Sequence, residues 1–216
     1  MSATTPGRGV SRRELLKRAG VAGAAVSLPA VVATAPAAAV IEREQRDTFT
    51  AAQAQTIEAV LDRLIPSDAT GPGAAEAKVG RYIDRALSGE LSSLQGFYAA
   101  GIADLDEYAT SKYGGPFASL AADQQDAILH DLETDAATGF APSSSAFFET
   151  IREHAIQGMF CDPYQGGNAN FVGWDLIHFP GIKLTVPARD QRLDVDVPLA
   201  HKSTTDYAIF KIGPGG

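Results

Sequence analysis

The sequence predicts a mainly α protein: a bundle of about five helices followed by an irregular C-terminal arm rich in glycine and aromatic residues. Three observations carry this. Apolar residues between positions 50 and 160 recur at helical spacing, and alanine supplies much of the hydrophobic content, which favours helix. Beyond residue 160 the helical period is lost. Gly158, Gly166, Gly167, Gly173 and Gly181, with Pro163 and Pro180, punctuate a stretch that also holds Phe160, Tyr164, Phe171, Trp174 and Phe179. Within the arm, Lys183–Val186 and Leu193–Val197 alternate like two short strands around Pro187–Arg192, so one short β-hairpin is the most sheet the chain predicts.

Residues 1–39 read as a twin-arginine export signal. Arg12 and Arg13 are followed by Leu15, Leu16 and Lys17, then by a mildly apolar run from Ala19 to Val32 and the small residues Ala37–Ala39, which suit cleavage. The apolar run is shorter than the roughly 20 residues of a spanning helix, and glycines interrupt it. Gly20-Val21-Ala22-Gly23 lacks both the preceding strand and the third glycine of a dinucleotide-binding turn. Residues 40–216 are then expected to form a single domain, helical over 50–160 and an arm over 161–216.

After a loose polar segment at 40–48, Thr50 can cap a helix with Ile57, Val60, Leu61 and Leu64 on one face, ended by Pro66. A second helix is expected over Ala74–Leu87 and a third over about Glu90–Tyr113, closed by Gly114-Gly115-Pro116. A fourth spans about Ala121–Thr134. The fifth begins in the Ser143–Ser145 cluster and reaches about Phe160, with Phe147, Phe148, Ile151, Ala155 and Met159 inward.

The net charge is −8, and because five of the first 39 residues are basic against one acidic, the remainder is more acidic still. Such a chain repels phosphate backbones and gains nothing from an anionic lipid surface, which disfavours nucleic acid and membrane partners. A single cysteine, Cys161, permits no internal disulfide. The four histidines show no His-Glu-x-x-His spacing, and no nucleophile elbow or phosphate loop is present, so no catalytic, cofactor or metal residues are assigned. Asp194 and Asp196 lack the glycine-centred loop of a calcium site and read as solvated. Asp104, Asp106 and Glu107 read as a solvated helix face. His178 reads as a histidine bonded to a backbone carbonyl. Cys161, beside Asp162, reads as an inert thiol.

On chemistry alone the glycine-aromatic stretch is expected to pack on its own core, with a docking surface as the alternative. Its motif also carries a resemblance. Asp162-Pro163-Tyr164-Gln165-Gly166-Gly167-Asn168, then Gly173-Trp174, then Phe179-Pro180-Gly181, resembles the signature of the gluconate 2-dehydrogenase subunit 3 family. Arg63-Leu64-Ile65-Pro66 and Tyr82-Ile83-Asp84 also fit it, while Cys161 departs from the serine-like residue more usual there. The family comprises small subunits of bacterial flavin-dependent sugar and sugar-acid dehydrogenases.

The resemblance implies a non-catalytic subunit with no cofactor of its own. FAD would sit in a large partner subunit, and haem c in a third, membrane-bound cytochrome. The small subunit would escort the large one through the twin-arginine pore to the periplasm or the outer face of the cytoplasmic membrane, touching the membrane only through its partners. It also implies a partner interface at Asp162, Pro163, Tyr164, Gly166, Gly167, Asn168, Gly173, Trp174, Phe179, Pro180 and Gly181. Two alternatives remain open: a freestanding enzyme using Cys161, His178 and Asp162, and a periplasmic sugar-binding module with Trp174 and Tyr164 as its stacking platform.

Overall fold

The computed structural model describes residues 46–211. The twin-arginine segment with Arg12, Arg13, Leu15, Leu16 and Lys17 lies outside them, as does the expected cleavage site. Six α-helices are present among the described residues: α1 (Ala51–Leu64), α2 (Val79–Ser88), α3 (Gln95–Tyr113), α4 (Ala122–Glu133), α5 (Ser144–Phe160) and α6 (Val172–Leu176). No strand forms among them; one isolated bridge joins Asp68 and Gly71. No helix of the described residues is long and apolar enough to cross a membrane.

The two ends of the sequence-predicted helical region are set by local chemistry. Thr50 and Gln53 form a reciprocal capping box at the start of α1, with the Gln53 amide donating to Thr50 Oγ1 at 3.3 Å and the Thr50 amide donating to Gln53 Oε1 at 2.9 Å. Ser143 caps α5 by accepting from the Ala146 amide at 3.1 Å. Gly114 ends α3 in the left-handed region (φ 83°), where a side chain would be strained.

Helices α1 and α5 form the centre, since each packs against α2, α3 and α4 as well as against the other. Their buried stripes, Ile57, Val60 and Leu61 on α1 and Phe147, Ile151, Ala155 and Met159 on α5, match the spacing read from the sequence. Tyr98 of α3 lies between them, with its ring near Phe49, Phe147 and His154. Its hydroxyl and His154 Nδ1 are 2.8 Å apart, so the one polar pair in this apolar region is internally satisfied. Burial pushes the Tyr98 phenol up and His154 down, which keeps both neutral. Gly101 makes the α3–α5 contact possible, because a Cβ there would lie 2.3 Å from the Phe147 ring.

Several expectations about the helices and the arm are corrected. The second helix begins at Val79 and not at Ala74, because Lys78 adopts a left-handed conformation (φ 56°) and residues 74–78 turn. That turn buries Ala74 and Ala77 and frees the Ala77 carbonyl to accept from the Ala169 amide at 3.1 Å. The third helix starts at Gln95, behind a 3-10 turn at Ser92–Leu94. The β-hairpin does not form. Pro187 opens a 3-10 turn (Ala188–Gln191), Lys183 reaches Asp190 at 2.9 Å, and the Val195 amide bonds back to the Arg192 carbonyl, so neither segment offers a ladder to the other. Asp106 is not a solvated face residue: its carboxylate accepts from the Phe117 amide at 3.0 Å and from Thr56 Oγ1, tying α3 to α1 and to the turn after α3.

The described end of the polar segment before α1, expected to be loose, is clasped at residues 47–49. Buried Asp84 of α2 accepts three successive amides, those of Asp47 (2.6 Å), Thr48 (3.0 Å) and Phe49 (2.6 Å), and Thr48 Oγ1 donates to the Asp84 carbonyl. Replacing Asp84 with Ala would strand these amides. The expected cost is about 3 kcal/mol or more, read as a lowered urea midpoint, whereas Asp104→Ala on the polar side of α3 should leave the midpoint close to unchanged.

Candidate functional site

A helix leaves its last four carbonyls without partners. The sequence after α5, Cys161-Asp162-Pro163, offers no glycine to fold the chain back and cap them. The glycine-aromatic loop does this instead, from a distance. The Asn168 amide donates to the Gly158 carbonyl at 2.9 Å, Trp174 Nε1 donates to the Phe160 carbonyl at 2.9 Å, and Asn168 Nδ2 donates to the Cys161 carbonyl at 2.8 Å. Asn168 Oδ1 meanwhile accepts from the amides of Gly173 (2.8 Å) and Trp174 (3.4 Å) at the start of α6. One fully buried side chain therefore closes α5 and opens α6.

The glycines of the motif follow from this close approach. A Cβ on Gly167 would stand 2.2 Å from the Gly158 carbonyl oxygen, and one on Gly173 would stand 1.9 Å from that of Met159. Both obstacles are backbone atoms, which cannot swing aside. Gly166 and Gly181 are needed for conformation, at φ 108° and 88°.

Trp174 is 4% exposed. Its ring packs edge-on to Phe179 at 4.8 Å and tilted against Phe171 at 5.4 Å, and Phe171 in turn stacks on His201 at 5.0 Å. His201 Nε2 lies 2.6 Å from Asp175 Oδ1, which joins α6 to the far end of the arm. Asp162 makes a second join. It accepts from Ser203 Oγ, from the Thr204 amide and Thr204 Oγ1 (both 2.8 Å), and from the Tyr164 amide. Burial alone would push its carboxyl up, but these donors together hold it below the usual carboxylate range.

The residues read from the sequence as a partner interface thus fall into two groups. Gly167, Asn168, Gly173, Trp174 and Gly181 are buried within this chain. Asp162, Pro163, Gly166, Phe179 and Pro180 are half-buried, and Tyr164 is exposed. The exposure of the apolar residues around them, Ile156, Phe160, Leu176 and Ile177, was not legible in the sequence, since composition does not say which side of a residue faces water. Sequence reasoning also missed Ser203 and Thr204, for which the local sequence carries no signal.

The two alternative chemistries lack their geometry. Cys161 Sγ points to the Gly158 carbonyl, and burial, helped by the neighbouring Asp162 charge, pushes the thiol up to about 11. His178 is exposed and makes no hydrogen bond to Cys161, so nothing activates the thiol. The backbone carbonyl expected for the His178 ring is not there either; the residue's amide bonds to the Asp175 carbonyl instead. A sugar platform is lost because Trp174 is covered on its own chain by Phe171 and Phe179. Asp194 pairs with Arg192 at 2.6 Å, and no group of three His, Cys, Asp or Glu side chains that could hold a metal occurs among the described residues.

Two outcomes test this account. Asn168→Ala, which strips three hydrogen bonds from a fully buried position, is expected to cost about 3 kcal/mol and to red-shift Trp174 fluorescence as the loop opens. The Asp162 clamp should respond to acid only. Its stabilisation is complete above the carboxyl's unfolded pKa and is lost as pH falls through the lower folded value, so arm release, followed by Trp174 fluorescence, should begin below about pH 4 and be absent in Asp162→Ala.

Comparison with curated proteins found no match, and comparison with solved structures found none either. A family model described as Gluconate 2-dehydrogenase subunit 3 matches residues 51–181, from the first residue of α1 to the glycine that closes the aromatic loop. This span contains the whole helical body and the cap on α5, while the Ser203–Thr204 end of the Asp162 clamp lies beyond it. The match covers more than half of the chain, and the chain belongs to the gluconate 2-dehydrogenase subunit 3 family, one subunit of a multi-subunit dehydrogenase.

Proposed function

We propose that this chain is the non-catalytic small subunit of an exported flavin-dependent sugar, sugar-acid or polyol dehydrogenase. It holds the FAD-bearing large subunit, stabilises it and carries it through the twin-arginine pathway on the signal at Arg12 and Arg13. The complex works in the periplasm or on the outer face of the cytoplasmic membrane, and a cytochrome c subunit accepts its electrons. Membrane association comes through the partners.

The observation that carries this reading is the distribution of exposed apolar side chains. Among the described residues every large one, from Ile156 through Tyr164, Ile177 and Val186 to Phe210, lies in the last two turns of α5 or beyond them. None lies on the preceding helices, although these supply most of the core. Water-exposed apolar residues gathered in one part of a chain are the mark of a surface that a partner covers. The same part includes the family's motif and an arm rooted through Asp162 and His201, so the surface is presented on fixed backbone.

Co-expression with the large subunit and pull-down through a C-terminal tag tests the proposal. The expected eluate contains the large chain in stoichiometric amount and shows flavin absorption, with haem bands if the cytochrome is retained. A colourless, folded, solitary small chain would overturn it.

A further inference from the structure

Beyond Gly181 the arm leaves the body as a loop and returns to it. The Ile182 amide donates to the Lys202 carbonyl at 2.8 Å, the Ala200 amide donates to the Pro180 carbonyl at 3.0 Å, and Tyr207 Oη donates to the Ile182 carbonyl. These bonds close the neck of the loop. Of residues 183–199 beyond the neck, none is buried. The returning limb, Leu193-Asp194-Val195-Asp196-Val197-Pro198-Leu199, alternates without a break: each odd position holds a large apolar residue and each even one an aspartate or the proline. That is the pattern of a strand with one apolar face. Leu193, Val195 and Leu199 are exposed, and Val197 lines a groove of about 330 Å³ with Phe179, Ile182 and Val186.

The backbone of this limb is open as well. Among the described residues none donates to the carbonyls of Leu193, Val195, Val197 or Leu199, and the Val197 and Leu199 amides find no acceptor. The Val195 amide has only a long contact, 3.4 Å, to the Arg192 carbonyl. Pro198, without an amide proton, falls at an even position. An edge strand accommodates proline where the N–H would face away from its neighbour, so the odd positions are the ones able to form a ladder. Side-chain parity and backbone parity therefore agree.

The described residues contain no strand for the limb to join, only the isolated Asp68–Gly71 bridge. A second copy of this chain is a poor neighbour, since antiparallel pairing about Val195 would set Asp194 opposite Asp196. The exposed apolar surface continues onto the limb, and the protein that covers the one meets the other. From this arrangement we infer that residues 193–199 add as an edge strand to an exposed sheet edge of the large subunit. The inference rests on the proposed docking role and names the contact the arm makes. Main-chain hydrogen bonds from Val195, Val197 and Leu199 supply affinity, and the alternating side chains set register. Asp194, Asp196 and Pro198 protect the open edge from indiscriminate pairing, as charges and prolines do on natural edge strands.

The test is a pair of proline variants of the full chain, each co-expressed with the large subunit and pulled down through the C-terminal tag. Val197→Pro removes an amide from the ladder positions, and Asp196→Pro removes one from the opposite side. Both are expected to keep the thermal midpoint, because neither amide is bonded within the chain. Val197→Pro should retain about tenfold less large subunit, while Asp196→Pro should stay within about twofold of wild type. Should Val197→Pro lower the midpoint, Leu199→Pro is read by the same criterion. Retention equal to wild type in both variants overturns the strand while leaving the docking role intact. Equal losses in both overturn it too, since a ladder distinguishes the two positions. If the wild-type chain itself retains no large subunit, the docking role fails, and the inference falls with it. A dimer of the isolated small chain in sedimentation, abolished by Val197→Pro while the large subunit is still retained normally, would assign the limb to a second copy and overturn the large subunit as its neighbour.

Discussion

The carbonyl end of α5 is where this structure is decided. The central helix touches α1 through α4, and the one local donor seen on its last carbonyls is the weak Cys161 thiol at Gly158. Asn168 and Trp174 provide stronger donors from ten and more residues downstream. To reach those carbonyls the loop must come so close that Gly167 and Gly173 can carry no side chain. The motif is therefore a single solution to one hydrogen-bonding problem: an amide side chain that donates to one helix and accepts from the next, an indole that donates to the first, and two glycines that let both arrive.

This resolves the two readings of the glycine-aromatic stretch. Packing on its own core and docking a partner compete only if the same atoms must do both. Here the inward atoms, Asn168, Trp174 and the close glycines, hold α5, while the outward ones, Tyr164, Leu176 and Ile177, are left to water. Removing Trp174 would thus act on the loop's own stability before it acted on any interface. The Cys161 thiol illustrates the same division, being spent on the Gly158 carbonyl and held protonated by burial.

The helices were legible in the sequence because their stripes repeat at a fixed period and their ends carry local chemistry, as at Thr50, Ser143 and Gly114. What failed was whatever depended on a distant partner. Lys78 begins α2 late because the Ala77 carbonyl is needed by Ala169, ninety-two residues on. Alternation at Lys183–Val186 suggests a strand, but a strand needs a neighbour, and Pro187 turns the chain before one can form. Asp84 and Asp106 look like ordinary helix-surface acids until the amides they accept are in view. The glycine-aromatic motif was visible as a motif, but its purpose was not, since the need it meets lies in the helix before it. The missing glycine after Phe160 was the one signal of that need.

The Asp162 clamp has a consequence for association. A side chain displayed on a wandering tail must be immobilised when a partner arrives, and the lost freedom is subtracted from the affinity. The carboxylate of Asp162 has already fixed the far end of the arm during folding, through Ser203 and Thr204. The apolar side chains between are thus displayed by a strap tied at both ends, so a partner that meets them finds much of the ordering cost met in advance.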